Sequence, residues 1–146
     1  MSGPSSPNVR LSRGLKERLR RLEGLVRVPC SVAKTSEGFS ITLERLEFGP
    51  RHTRAYLTAR IDGDRYAKLD LYRSKIIQGA ERAGQRDPFD YNLPKPKPGL
   101  PPGEQTEGVV TFGRTDPSQP LQVWFAWQSG GIMADKPEPL VFAVTP

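Results

Sequence analysis

The sequence predicts an all-β fold, two antiparallel sheets in a Greek-key sandwich, preceded by one short basic amphipathic helix. Apolar residues beyond Pro29 recur with period two along several segments. Turn-forming clusters such as Asp62-Gly63-Asp64 separate these segments, with no helical period between them. Frequent Gly (14) and Pro (15) beside an apolar content of 36% suit short strands joined by turns better than a helical bundle. At 146 residues one core is expected.

Residues 1–11 open with MSGPSSPNV, which has little to bury against the entropy of ordering and is expected to be a disordered tail. Leu15, Leu19, Leu22 and Val26 then recur at helical spacing between basic residues, so residues 12–28 are expected to form a helix and linker. Ser12 can cap its start and Gly24 can end it. The sandwich is expected to occupy residues 29–146.

Phe39, Ile41 and Leu43 alternate with polar residues, and Leu46 and Phe48 resume on shifted parity, as a β-bulge near Arg45 would produce. Ala55, Leu57, Ala59 and Ile61 make the next strand, a hairpin partner across Gly49 to His52. A further run passes through Ala67, Leu69 and Leu71 towards Ile76 and Ile77. Three late strands are expected at 107–113, with Val110 and Phe112 inward, at 121–127 and at 139–144. Between Gly79 and Gln105 an irregular crossing is expected. Its segment LPKPKPGLPPGE, rich in donor-less proline, should run extended outside the sheets.

The stretches GFSITLERLEF, TRAYLTARIDGD, GLPPGEQTEGVVTF and EPLVFAV together resemble an immunoglobulin-like domain family of unknown function, found in bacterial lipoproteins and membrane-anchored or secreted proteins. The resemblance covers most of residues 31 to 145. It implies an immunoglobulin-like sandwich and an extracytoplasmic or membrane-associated address, but no activity. The polar N-terminus departs from that pattern, having neither the apolar stretch of a signal peptide nor a transmembrane segment.

Charge locates a second candidate function. Seven of the 22 basic residues but two of the 16 acidic ones fall in residues 1–28, so that segment carries +5 and the remainder +1. Arg13, Lys16, Arg18, Arg20 and Arg21 on the expected helix are candidates for binding an anionic membrane surface, with nucleic acid the less favoured polyanion. The apolar face lacks interfacial aromatics, so a solvated helix or stalk is the plainer alternative.

Residues able to carry catalysis are scarce. His52 is the single histidine and Cys30 the single cysteine, which excludes an intrachain disulfide and any paired-thiolate metal site. A triad would need His52, in a turn, to meet Cys30 through the fold; Cys30 is expected instead as a small buried side chain entering the first strand. Carboxylate pairs at Glu44/Glu47, Asp62/Asp64, Asp87/Asp90 and Glu104/Glu107 read as solvated turns and strand edges. No cofactor motif, metal spacing or small-molecule substrate is evident.

In the strand around QVWFAW, an inward Phe125 and Trp127 would leave Trp124 on the outer surface as an anchor for a protein partner or a sugar ring, unless the proline-rich crossing covers it. Trp124 and a neighbouring Tyr56 are the candidate partner-binding residues. The sequence thus points to a non-catalytic binding or structural module of the bacterial cell envelope, making protein contacts through a sheet face. The alternatives are a membrane or nucleic-acid binder acting through the basic helix, and an uncharacterised enzyme.

Overall fold

The computed structural model describes residues 25–85, 93–130 and 136–146. The expected tail and nearly all of the expected basic helix lie outside the described residues. Two antiparallel sheets make the fold. The first has the order β1(Val26–Ser36), β2(Phe39–Phe48), β3(His52–Ile61), β7(Gln105–Gly113). In the second, β5(Glu81–Gly84), β4(Ala67–Gln78), β8(Leu121–Ser129) and β9(Leu140–Val144) lie side by side, and β6(Gly99–Leu100) pairs with β4.

The alternation read from the sequence sets which residues meet between the sheets. Phe39, Ile41, Leu43, Ala55, Leu57, Ala59, Val110 and Phe112 of the first sheet are buried in one cluster with Leu69, Ile76, Val123, Phe125 and Trp127 of the second. The sheets lock through aromatic contacts: Phe39 stacks on Trp127 with ring centroids 4.7 Å apart, and Phe125 lies 6.3 Å from Phe112. Burying such a ring removes 150–250 Å² or so from water, which makes this layer the main hydrophobic contribution to the fold.

Turn chemistry explains the path between strands. Glu37 and Gly38 both have positive φ, 51° and 83°, the backbone of a two-residue hairpin turn that matches strand twist. A β-carbon on Gly38 would also meet the Asp62 carbonyl oxygen at 2.6 Å. Pro101 to Glu104 form a turn closed by the Glu104 N–H donating to the Pro101 carbonyl at 3.1 Å, with Gly103 at φ 80°. That turn carries the chain from the second sheet back to the first.

Three expectations change. The sheet begins three residues before Pro29: Val26 and Val28, within the segment 12–28 read as helix and linker, are half-buried strand residues of β1 packed on the core. β1 is an edge strand whose second half is exposed, which is why alternation did not reveal its length. The crossing from Gly79 to Gln105 is not wholly irregular, since it supplies β5 and β6. Finally, its proline-rich part does not cover Trp124. Pro94 accepts a hydrogen bond from the Val109 N–H at 2.8 Å, Thr106 Oγ1 accepts from the Lys97 N–H at 2.8 Å, and Pro98 accepts from the Leu69 N–H at 2.7 Å. The segment therefore runs along the free edge of β7 and over to β4, occupying donors that would otherwise invite another strand. Pro96 is buried there against Gly108.

Three register shifts distort the described strands, one of them in β1, where Cys30 and Ser31 stand against Glu44. Glu44 is the extra residue between Leu43 and Arg45, where the parity shift placed it. In β4 the register passes from Asp70↔Ala126 to Lys75↔Trp124, so four residues, Leu71 to Ser74, stand against Phe125 alone.

Candidate functional site

The β4 bulge is held by hydrogen bonds at its base. Ser74 is 2% exposed; its hydroxyl donates to the Asp70 carbonyl at 2.8 Å and accepts the Ala126 N–H at 3.0 Å. Asp70 Oδ1 accepts the Arg73 N–H at 3.3 Å, and Asp70 Oδ2 accepts from Gln128 at 3.4 Å. One serine thus replaces the ladder bonds that the extra residues interrupt; Leu71 still packs on the core, while Tyr72 and Arg73 are exposed. Tyr72 at the crest is 94% exposed.

Beside this crest the outer face of the second sheet forms an open depression of about 510 Å³, lined by Tyr72, Arg73, Ser74, Lys75, Arg82 and Trp124 among others. Trp124 is half-buried, while Val123, Phe125 and Trp127 on the opposite side of β8 are fully buried. Its indole N–H donates to Gln122 Oε1 at 3.0 Å, and the Lys75 ammonium lies 5.1 Å from its ring centroid. Cation and ring attract through the quadrupole of the indole face.

Tyr56 does not neighbour Trp124. It stands on the outer face of the first sheet, across the core, because β3 and β8 belong to different sheets. The Arg45 guanidinium lies 3.7 Å from its ring centroid, and Arg45 Nε is buried without a hydrogen-bond partner. Together with Glu44, Thr58, Pro94 and Glu107 they line a depression of about 320 Å³. Further along that face Glu47, 5% exposed, accepts from Arg27 at 3.0 Å and lies 3.6 Å from Arg54.

The catalytic grouping considered from the sequence does not assemble. Cys30 sits near the bulge of β2, while His52 begins β3 opposite Gly113, on the order of 15 Å away by strand spacing and rise. Burial pushes the Cys30 thiol pKa above its ordinary value, partly opposed by a hydrogen bond from the Leu46 backbone. Cys30 is half-buried in β1. Of the carboxylate pairs, Glu44 accepts from Thr58 at 3.1 Å, Glu47 joins its two arginines and Asp62 pairs with Arg60 at 3.1 Å. Glu104 and Glu107 are exposed, and Asp87 and Asp90 lie outside the described residues. Among the described residues no three His, Cys, Asp or Glu side chains group as a metal site, and no helix is long and apolar enough to cross a membrane. Arg13, Lys16, Arg18, Arg20 and Arg21 lie outside the described residues.

Tyr72, Arg73, Lys75 and Arg82 were not singled out from the sequence. The signal was available in one respect: Leu69 and Leu71 share a parity that Ile76 breaks, the same mark that betrayed the Glu44 bulge.

Fold and surface together define an all-β, two-sheet antiparallel sandwich with charged and aromatic outer faces. No family model matches the chain, and no curated protein matches it. Solved structures that share the fold include two bacterial proteins. One, from Bacillus subtilis, is described as "a putative lipoprotein (ycdA)": TM-score 0.62, 15% identity, covering 80% of this chain. The chain spans 39% of that structure's length. The other is a functionally unknown protein from Listeria monocytogenes, with TM-score 0.57 and 10% identity, covering 83% of this chain and 87% of that one.

Proposed function

We propose that this chain is a non-catalytic binding or structural module of the bacterial cell envelope, immunoglobulin-like in the broad sense, which contacts other proteins through an outer sheet face. One observation carries the reading: Trp124 is kept half-exposed beside a surface depression, although its strand already fills the core with Phe125 and Trp127. A large aromatic that the core does not use, set among cations, has the composition of a protein-contact centre. One neighbour in fold, described as "a putative lipoprotein (ycdA)", supports an extracytoplasmic or membrane-associated address.

The test places a photoreactive amino acid at position 56, 72 or 124 of the full chain in its own cells. Light-dependent adducts of discrete protein mass from an outer-face position, absent when the group replaces exposed Glu37 in the β1–β2 turn, are the expected result. Absence of protein adducts from both faces would overturn the reading.

A further inference from the structure

We propose that the outer face formed by β4, β5 and β8 docks an acidic protein segment, with Tyr72 entering the partner and Lys75 and Arg82 meeting its carboxylates; this rests on the sheet-face reading above. Three observations converge on it. Tyr72 is held out at the crest of a bulge whose base is closed by Ser74, so its 94% exposure comes from a braced backbone. An aromatic presented on a fixed backbone forfeits little entropy on binding and is a frequent centre of binding energy.

The charge around it is one-sided. Arg73 reaches Asp70 at 3.9 Å, whereas Lys75 and Arg82 have no carboxylate partner among the described residues. Both line the depression, and β5 brings Arg82 opposite Ile77, two residues along from Lys75. Two unneutralised cations beside an aromatic complement carboxylates, and they would steer an acidic surface towards this face.

The occupied face of Trp124 selects among partners. With the Lys75 ammonium over the indole and Gln122 holding its N–H, flat stacking of a nucleobase or sugar ring would have to displace the lysine. Carboxylates gain from Lys75 where it already sits. A protein segment uses both the cations and the protruding tyrosine.

The experiment titrates the isotope-labelled full chain with a random copolymer of glutamate and tyrosine, and in parallel with oligothymidylate and with phosphatidylglycerol vesicles. The expected result is that copolymer shifts the amides of residues 71–75, 82–84 and 124–126, with affinity falling about tenfold or more from low to physiological salt. Tyr72→Ala and the pair Lys75→Glu with Arg82→Glu each weaken binding by about tenfold or more while the melting transition stays in place. No copolymer binding, shifts confined to the first sheet or to residues 1–24, or tighter binding of oligothymidylate or vesicles to the same residues would overturn the proposal. Photo-adducts from position 56 with none from 72 or 124 would remove this site and leave the sheet-face reading standing; none from any position removes both.

Discussion

Phe39 of β2 and Trp127 of β8 stack at 4.7 Å with an interplanar angle of 23°, and this pair joins the two sheets near the end where the β1–β2 turn lies. Both rings are fully buried, and the Trp127 N–H donates to the Glu138 carbonyl at 3.3 Å. Phe39→Ala removes the stack and leaves a cavity against Trp127. A loss of about 3–5 kcal/mol is expected by denaturant unfolding.

Gly108 faces the proline-rich segment so closely that a β-carbon would collide with the Pro96 nitrogen and lie 2.7 Å from the Lys95 carbonyl carbon. Backbone cannot give way as a flexible side chain can. Gly108→Ala should cost about 1–3 kcal/mol. It should also loosen the cover of the β7 edge, read as faster hydrogen exchange at the Val109 amide, whose acceptor is the Pro94 carbonyl.

Glu47 links β1 to β3 through Arg27 and Arg54. The glutamate is nearly buried, but Arg27 is 44% exposed in its side chain, so water can take over the arginine when the carboxylate is gone. Glu47→Ala should therefore cost only about 1–2 kcal/mol, with the loss smaller at high salt.

Asp116 accepts from the Ser118 hydroxyl at 2.7 Å and the Ser118 N–H at 2.8 Å, and these bonds hold its carboxyl below the ordinary value of 3.8. A depressed folded-state value means the contribution is complete above the unfolded value and is lost as pH falls through the folded one. The group is fully exposed, so the measurement is the titration itself. Carbon-detected NMR should place its midpoint below 3.8, and Ser118→Ala should return it part of the way, because the backbone bond remains.

The five candidate cations of residues 13–21 yield a separate expectation. If they engage anionic surfaces, the full chain binds acidic vesicles with a steep salt dependence, and a chain beginning at Leu25 does not. Equal binding by both chains, or binding insensitive to salt, counts against that role.

The paired strands were legible because a half-buried sheet imposes period two on the chain that builds it. Phe39 to Leu43, Ala55 to Ile61, and Val110 with Phe112 each announced both strand and inward face, while the strand of Phe125 and Trp127 was announced with its inward face left conditional. The bulge at Glu44 was equally readable, since an extra residue must flip parity. β1 escaped notice as a full strand because an edge strand that leaves the core needs no alternation: Val32 is 44% exposed. β5 and β6 escaped because four and two residues are too short to show a period.

The candidate site was only half legible, for a physical reason. Sequence alone determined the strands that alternate, the bulge at Glu44 and the presence of an aromatic, Trp124, that could not join Phe125 on the same side. Alternation states that a residue points outward, yet not from which sheet, so Tyr56 and Trp124 looked like neighbours. Only the tertiary structure decided that they lie across the core from each other, that the proline segment guards β7 and not Trp124, and that Ser74 braces Tyr72 beside Lys75 and Arg82. Those are contacts between strands distant in sequence. They depend on sheet order and register, which no local pattern encodes.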